Sequence, residues 1–370
     1  MTRPTIYKVA GQALQVDARD DWAAHVTAAL FAGWYLDSES GSGEDAPRAP
    51  AIVVRSAEPV PAIPEGLIVF EIAGGGTCHA DAGTSYIAID GSVVVIGKPG
   101  LADAEIWMNG PLAIDAPALT RLVTYALSAA CRRRRLFELH SAALVHPESG
   151  AGVLIVGPSG SGKSTQTVHL AAAGWPYLTD DVLLLREGAP GIEAWPLRRS
   201  FAITADTFAA SRFLQARSSF DPAGAGDGEK RLFEPDEVFT AGFRDHCVPA
   251  TLLFSELSGG GRTRVSKLTP AEAMTRLIRM SPWSCYDRAT AAGHLAVLSA
   301  LARQATAYAL LAGTDLLDPE TTAGLIASVT SGATTRTSAA SEPRDRSEPA
   351  QRRARARVGG AGGEKPPGKT

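Results

Sequence analysis

Cysteine is scarce: 370 residues hold four, Cys78, Cys131, Cys247 and Cys285, scattered along the chain without C-x-x-C spacing. So few and so dispersed, they exclude a disulfide framework and fit the reduced thiols of a cytosolic protein. Two of them adjoin a histidine, as Cys78-His79 and His246-Cys247. Zinc needs a fuller set of closely spaced ligands, so these pairs read as core or surface residues. Long apolar runs are lacking too: no window approaches the roughly 18 apolar residues of a membrane span. The opening MTRPTIYKVAGQALQVD carries no apolar h-region. The expectation is a soluble, cytoplasmic protein without a membrane partner. Charge imbalance is slight, with 36 Lys+Arg against 39 Asp+Glu and a formal net of −3, which offers nothing to nucleic acid. What is present is 45% hydrophobic and 20% charged residues, enough for a sizeable core in one large or two modest domains.

Residues 1–110 hold short strand-like runs, IYKVA, AIVVRS, LIVFEIA, YIAID and SVVVIG, punctuated by Gly, Pro and Asp. They predict a small β-rich N-terminal domain, with SESGSGEDAPRAP as a surface loop. Residues 111–137 read as a linking helix, with Leu119, Leu122, Val123, Ala126, Leu127 and Ala130 at helical spacing. The arginines at 132–135 suit the negative end of its dipole. From 138 to 330 the pattern becomes strand, glycine-rich loop, helix and strand, the signature of an α/β domain. Within it SGGGR reads as the turn of a hairpin, TPAEAMTRLIRM as a helix opened by Thr269 and Pro270, and AAGHLAVLSALARQATAYALL as a second helix. Residues 331–370 are poor in apolar side chains and rich in Arg, Ser, Pro and Gly, which predicts a disordered, solvated tail.

The chemistry concentrates in Gly152-Val-Leu-Ile-Val-Gly157-Pro158-Ser159-Gly160-Ser161-Gly162-Lys163-Ser164-Thr165, a strand running into G-x-x-x-x-G-K-[ST] and then the helical TQTVHLAAAG. In such a P-loop the glycines let backbone N–H groups curl around phosphate oxygens and the helix N-terminus adds positive potential. Lys163 then reaches the β/γ-phosphates and the Ser164 hydroxyl ligates Mg²⁺. ATP and Mg²⁺ are therefore the expected ligands. Further on, Asp180 and Asp181 precede the apolar run Val182-Leu-Leu-Leu185, whereas an ordinary P-loop ATPase or GTPase places its acid at the end of an apolar strand. Two adjacent acids suggest two tasks: one holds Mg²⁺, directly or through water, and the other takes a proton from an attacking hydroxyl. The residues alone leave the division between them open.

These residues resemble the HPr kinase/phosphorylase superfamily, and more closely its HPr-kinase-like branch, which includes kinases encoded beside lasso-peptide genes. The resemblance rests on Leu139-His140 before the first strand, on G-P-S-G-S-G-K-S, on Gly174 to Asp181 in a G-x-x-x-L-x-D-D pattern, and on Ala307-Tyr308 with Gly313-x-Asp315. It implies a P-loop core of the PEP carboxykinase/HPr kinase type behind a variable N-terminal β domain. It also implies Lys163 and Ser164 on phosphates and Mg²⁺, the Asp180/Asp181 pair as base and metal contact with Asp181 the metal candidate, and His140 near the transferring phosphoryl. Lys230, in Gly228-Glu-Lys230-Arg231, is a candidate second cation for transition-state charge, with Arg231 as its alternative and Glu193 as a further carboxylate. The HPr kinases proper carry a glutamate after the P-loop serine and an E-I-R-G-L-G signature. Here Thr165 takes that place and the signature is missing, so the HPr target and reverse phosphorolysis do not carry over. The implied activity is a forward kinase acting on a serine of a protein or ribosomal precursor peptide, of the lasso-peptide type among others. A small-molecule alcohol kinase and a nucleotide-binding regulatory protein are the alternatives. HPr kinases form hexamers, which makes a homo-oligomer an expectation from the resemblance alone.

Overall fold

The computed structural model describes residues 4–31, 37–39, 50–56, 58–65, 67–72, 75–81, 83–110, 117–197, 200–216 and 231–339. The first half contains strands Thr5–Val9 (β1), Gln12–Ala18 (β2), Asp37–Glu39 (β3), Ile52–Arg55 (β4), Leu67–Glu71 (β5), Thr77–Asp81 (β6), Thr84–Ile89 (β7), Ser92–Ile96 (β8) and Ala104–Trp107 (β9). Helices Asp21–Phe31 (α1) and Pro117–Arg133 (α2) accompany them. The strands form one nine-stranded sheet in the order β3-β1-β2-β4-β9-β8-β7-β6-β5. Two hairpin turns set its registers: Ala10-Gly11 and Asp90-Gly91 all have positive φ, and such pairs match the twist of the strands they join. Helix α1 lies in the segment read as strands only. It starts where the Asp20 carboxylate accepts from the Ala23 N–H, a cap that an aspartate supplies well.

Helix α2 buries Leu119, Leu122, Val123, Ala126, Leu127 and Ala130 in the core of this sheet, so it is a packing layer as well as a connection. It is also shorter than the helix expected over 111–137. Arg135 turns into the left-handed region at φ 59°, and Phe137 already opens the next strand.

The second half contains Phe137–Val145 (β10), Gly152–Val156 (β11), Lys163–Ala172 (α3), Tyr177–Thr179 (β12), Val182–Glu187 (β13), Ile192–Pro196 (β14), Phe201–Ile203 (β15), Ala205–Ala210 (α4), Arg212–Gln215 (α5) and Arg231–Phe233 (β16). Pro235–Val238 (α6), Pro249–Leu257 (β17), Arg264–Lys267 (β18), Pro270–Arg279 (α7), Trp283–Tyr286 (α8), Arg288–Gln304 (α9), Thr306–Ala312 (β19) and Pro319–Ala339 (α10) follow. An eight-stranded mixed sheet runs β14-β13-β10-β11-β17-β19-β18, with β12 also on β10. Strands β11, β17 and β19 are parallel and lie inside it, with α7 and α9 on one face and α3 and α10 on the other. Burial on both faces explains why GVLIV and TLLF read as continuous apolar runs with no alternation.

Three expectations are corrected here. SGGGR does not close a hairpin: β17 and β18 both pair with β19, which inserts between them. The second helix stops at Gln304: Thr306–Ala312, mostly Ala and Leu, is completed as a strand by parallel pairing with β17, which overrides its local propensity. Helix α10 carries on to Ala339, past the expected tail boundary at 331, and residues 340–370 lie outside the described residues. The helix opened by Thr269 and Pro270 forms as α7, with a capping box between Thr269 and Glu272.

The basic cluster ending α2 does more than meet a dipole. Arg132, 1% exposed, donates to Glu138 at 2.7 Å and to Asp287 at 3.0 Å, and its guanidinium lies 4.3 Å from the Trp283 ring centre. Arg133 adds bonds to both oxygens of Asp287. Burial pushes the Asp287 carboxyl up, but the two guanidiniums outweigh it and hold it below the usual carboxylate range. Replacing Arg132 by Ala would leave two buried carboxylates short of their cation and is expected to cost about 3–5 kcal/mol, read as a lower urea midpoint. His294, buried against Phe137, donates from Nε2 to the Glu138 carbonyl, and burial together with Arg132 lowers its pKa to about 4. An unfolded histidine takes its proton near pH 6.5, so this residue's contribution to stability is complete above that pH and is lost as pH falls towards about 4. His294→Gln is expected to remove up to about 3 kcal/mol of the pH dependence of stability over that window, read from urea unfolding at a series of pH values.

Candidate functional site

Strand β11 delivers the chain into the loop at Gly157, and α3 leaves it at Lys163. A Cβ on Gly157 would lie 2.5 Å from Ser161 Oγ and 2.6 Å from the Ser255 carbonyl, so the loop can fold back on itself and on the end of β17 only with glycine there. Gly160 and Gly162 sit at φ 80° and 85°, a region that costs other residues about 1–2 kcal/mol. A hydrogen-bond chain holds the loop from behind. Gln166 Nε2 donates to Ser255 Oγ at 2.8 Å, and Ser255 Oγ donates to the Ser161 carbonyl at 2.8 Å. Sequence reasoning missed Ser255. The available signal is that it directly follows the apolar TLLF of β17, at the carboxyl end of a parallel strand beside the loop, where α/β sheets place their ligands.

The Lys163 side chain curls back over the loop. Its Nζ donates to the carbonyls of Gly157 at 2.7 Å and Pro158 at 3.0 Å, and lies 3.1 Å from His140 Nε2. On the other side of the ring, His140 Nδ1 lies 3.1 Å from Asp181 Oδ1. With Nδ1–H directed at the carboxylate, Nε2 presents its lone pair to the ammonium, so one tautomer satisfies both contacts. Asp181, His140 and Lys163 thus form a continuous polar chain ending on the loop. A phosphate oxygen entering the loop would compete with two carbonyls for the ammonium.

Asp180 and Asp181 occupy the turn between β12 and β13 in different surroundings. Asp180 is buried and its Oδ2 accepts from the Ala202 N–H of β15 at 3.0 Å. Asp181 is partly exposed beside His140, and its carbonyl accepts from the Ser141 N–H at 2.9 Å.

Among the described residues, two cavities that flank the loop concern the site. One, of about 340 Å³, lies against Gly160, Lys163, Ser164 and Thr165 and is lined on its other sides by Ala202, Thr207 and Gly313. The other, of about 410 Å³, lies against Gly157 and Pro158 between the end of β17 and α7. In the first, Thr165 Oγ1 and Thr207 Oγ1 are 3.0 Å apart, fastening α4 to the start of α3. Ser164 lines this cavity, and among the described residues no group of three or more His, Cys, Asp or Glu could hold a metal unaided. That donor set fits a Mg²⁺ that keeps its waters and phosphate oxygens and takes one or two protein ligands.

Of the residues expected at the site, the fold gathers His140, Asp181 and the loop 157–165, with Asp180 turned towards β15. Lys230 lies outside the described residues, and Arg231 opens β16. Glu193 is engaged elsewhere, 2.6 Å from Arg186 and accepting from Trp195 Nε1. Asp315 accepts from Thr263 and so ties the Gly313 turn to β18. Cys78, Cys131 and Cys247 are buried core thiols, the last two pushed up to about 12 by burial.

No protein-family model matches the chain, and no curated protein matches it in sequence. Among solved structures, the Hpr(Ser) kinase/phosphatase from Coxiella burnetii is similar at 12% identity and a TM-score of 0.29, over 55% of this chain and 98% of its own. The loop's rear support is open to a direct check. Ser255→Ala would strand the Gln166 amide and the Ser161 carbonyl, and is expected to cost about 1–3 kcal/mol, read as a lower urea midpoint at unchanged m-value.

Proposed function

We propose that the chain is a kinase that moves the γ-phosphoryl group of Mg²⁺·ATP onto a hydroxyl, with a serine of a protein or precursor peptide as acceptor. The observation that carries the reading is the chain from Asp181 through His140 to the Lys163 ammonium on a glycine loop at a helix N-terminus. It joins a proton acceptor to a phosphate cation through one imidazole.

Mg²⁺·ATP, when bound, supplies the activated phosphoryl group and neutralises part of its charge. The loop N–H groups of residues 159–164, beyond Pro158, which has none, and the α3 dipole hold the phosphate oxygens. Lys163 leaves its carbonyls for the β/γ oxygens and stays oriented by His140. Asp181, the more exposed acid, takes the hydroxyl proton as the acceptor oxygen bonds to phosphorus and the bridging P–O bond breaks, leaving ADP. His140 fixes the Asp181 carboxylate and is a positioning residue. Asp180, buried against β15, would approach the metal through water, with Ser164 as the direct ligand. This division departs from the expectation that Asp181 meets the metal, and it rests on the different exposure of the two acids.

The reading separates the variants. Lys163→Ala is expected to abolish transfer measured by mass spectrometry of acceptor proteins incubated with Mg²⁺·ATP. Asp181→Asn is expected to lower kcat by 10²–10⁴-fold, the usual range for a proton-transfer group, while leaving calorimetric Mg²⁺·ATP affinity within about threefold. Asp180→Asn is expected instead to weaken the Mg²⁺ dependence of nucleotide binding. A collapse of Mg²⁺·ATP affinity in Asp181→Asn would move that residue to the metal.

A further inference from the structure

The two cavities do not face equivalent ends of the loop. Lys163 Nζ is drawn to the Gly157 and Pro158 carbonyls and to His140, so the cation that serves the β/γ-phosphates sits at the loop's beginning. The cavity lined by Gly157 and Pro158 opens beside the carbonyls that hold this ammonium, while the one lined by Lys163, Ser164 and Thr165 opens at the start of α3.

The far wall of the first of these is α7, and its charges are sorted along the helix. Glu272 stands at the amino end, its carboxylate accepting from Thr269 N and Oγ1. Arg276 follows, ion-paired at 2.8 Å with Glu256, its guanidinium 5.8 Å from the Phe254 ring centre. Arg279 closes the helix, exposed and, among the described residues, in no ion pair or hydrogen bond. Seven residues at 1.5 Å each set it about 10 Å from Glu272. The next residue, Met280, also lines the cavity and accepts from the His140 N–H at 3.3 Å, so the cationic end of α7 is the end fastened to the strand that carries the site. The lining charges cancel in sum but not in position.

Building on the kinase reading, we infer that this cavity receives the phosphoryl acceptor and that the acceptor carries an anionic group, a carboxylate or phosphate near its hydroxyl, which Arg279 binds. The acceptor oxygen bonds to the γ-phosphorus, the bridging P–O bond breaks, the hydroxyl proton passes to Asp181, and ADP departs. Arg279 takes no part in that exchange and sets which hydroxyl arrives.

The test uses the full-length protein with the Mg²⁺ complex of a non-hydrolysable ATP analogue for binding, and with Mg²⁺·ATP for transfer. Fluorescein-labelled peptides with a central serine flanked by Glu or by Lys are titrated by fluorescence polarisation, and unlabelled glycerate competes as a small hydroxy acid. The Glu-flanked peptide is expected to bind and react about tenfold better than the Lys-flanked one. Arg279→Glu should erase or invert that preference while leaving the KM for Mg²⁺·ATP within twofold, and Arg279→Lys should largely retain it. Competition by glycerate at low millimolar concentration points to a small acceptor, and its absence to a peptide side chain; either agrees with an anion site. Peptide binding that ignores charge, or a preference untouched by Arg279→Glu, overturns the inference whatever the transfer assay gives. Charge-dependent, Arg279-dependent binding without transfer to any acceptor would keep the anion site and remove the kinase reading.

Discussion

The register of β10 is the constraint on which the site depends. This strand pairs with β11 on one side and with β13 and β12 on the other, placing Ser141 opposite Val156 and His140 opposite Val182. Phe137, Leu139 and Ala143 point to the α7/α9 core, while Ala142 and Leu144 point to the α3 side. His140 belongs to the second set and so meets Lys163 and Asp181 together. A slip of one residue would turn its imidazole into the α7/α9 core and bring Leu139 to the ammonium, because strand side chains alternate with period two. That register is strongly specified, since both faces are buried and each side chain has one core that accepts it.

The same strand reaches the N-terminal half through Glu138, two residues before His140 and on the same face. Its carboxylate binds Arg132 of α2, and its carbonyl accepts from Ser281 and His294. Buried charges of this kind add little net stability over well-packed apolar residues, yet removing one member is costly. What they supply is a single geometry. Helix α2, the start of β10, Trp283 of α8 and Asp287 before α9 must agree for each to keep its partner, and the agreement fixes the approach of the strand that carries His140.

The loop is held from within by Lys163, whose Nζ donates to the Gly157 and Pro158 carbonyls, and also from behind. Gln166, Ser255 and the Ser161 carbonyl form its support, the Gly157 close approach seats it on β17, and Thr165 and Thr207 fasten the start of α3. Gln166 belongs to α3 itself, while Ser255 of β17 and Thr207 of α4 are well separated in sequence from the motif they hold. On the proposed kinase reading, a loop held in this way would act through positioning and electrostatics, which is where phosphoryl transfer draws its rate.

Sequence alone determined the features whose partners lie within one turn or one short loop. The strand, glycine loop and helix over residues 152–172 are legible because each requirement, apolar burial, positive φ and a helix start, falls on adjacent residues. The capping box of α7 is local in the same way. The acid pair was visible as two carboxylates, but their separation into a buried Asp180 and an accessible Asp181 came from β15 and His140 arriving from elsewhere in the chain. The arginines after α2 looked like an ordinary helix end until Glu138 and Asp287 closed on them, and β19 resembled a continuation of α9 until β17 offered a parallel edge. Propensity is a weak local energy, and tertiary pairing overrides it wherever a whole ladder of hydrogen bonds or a buried charge depends on the outcome.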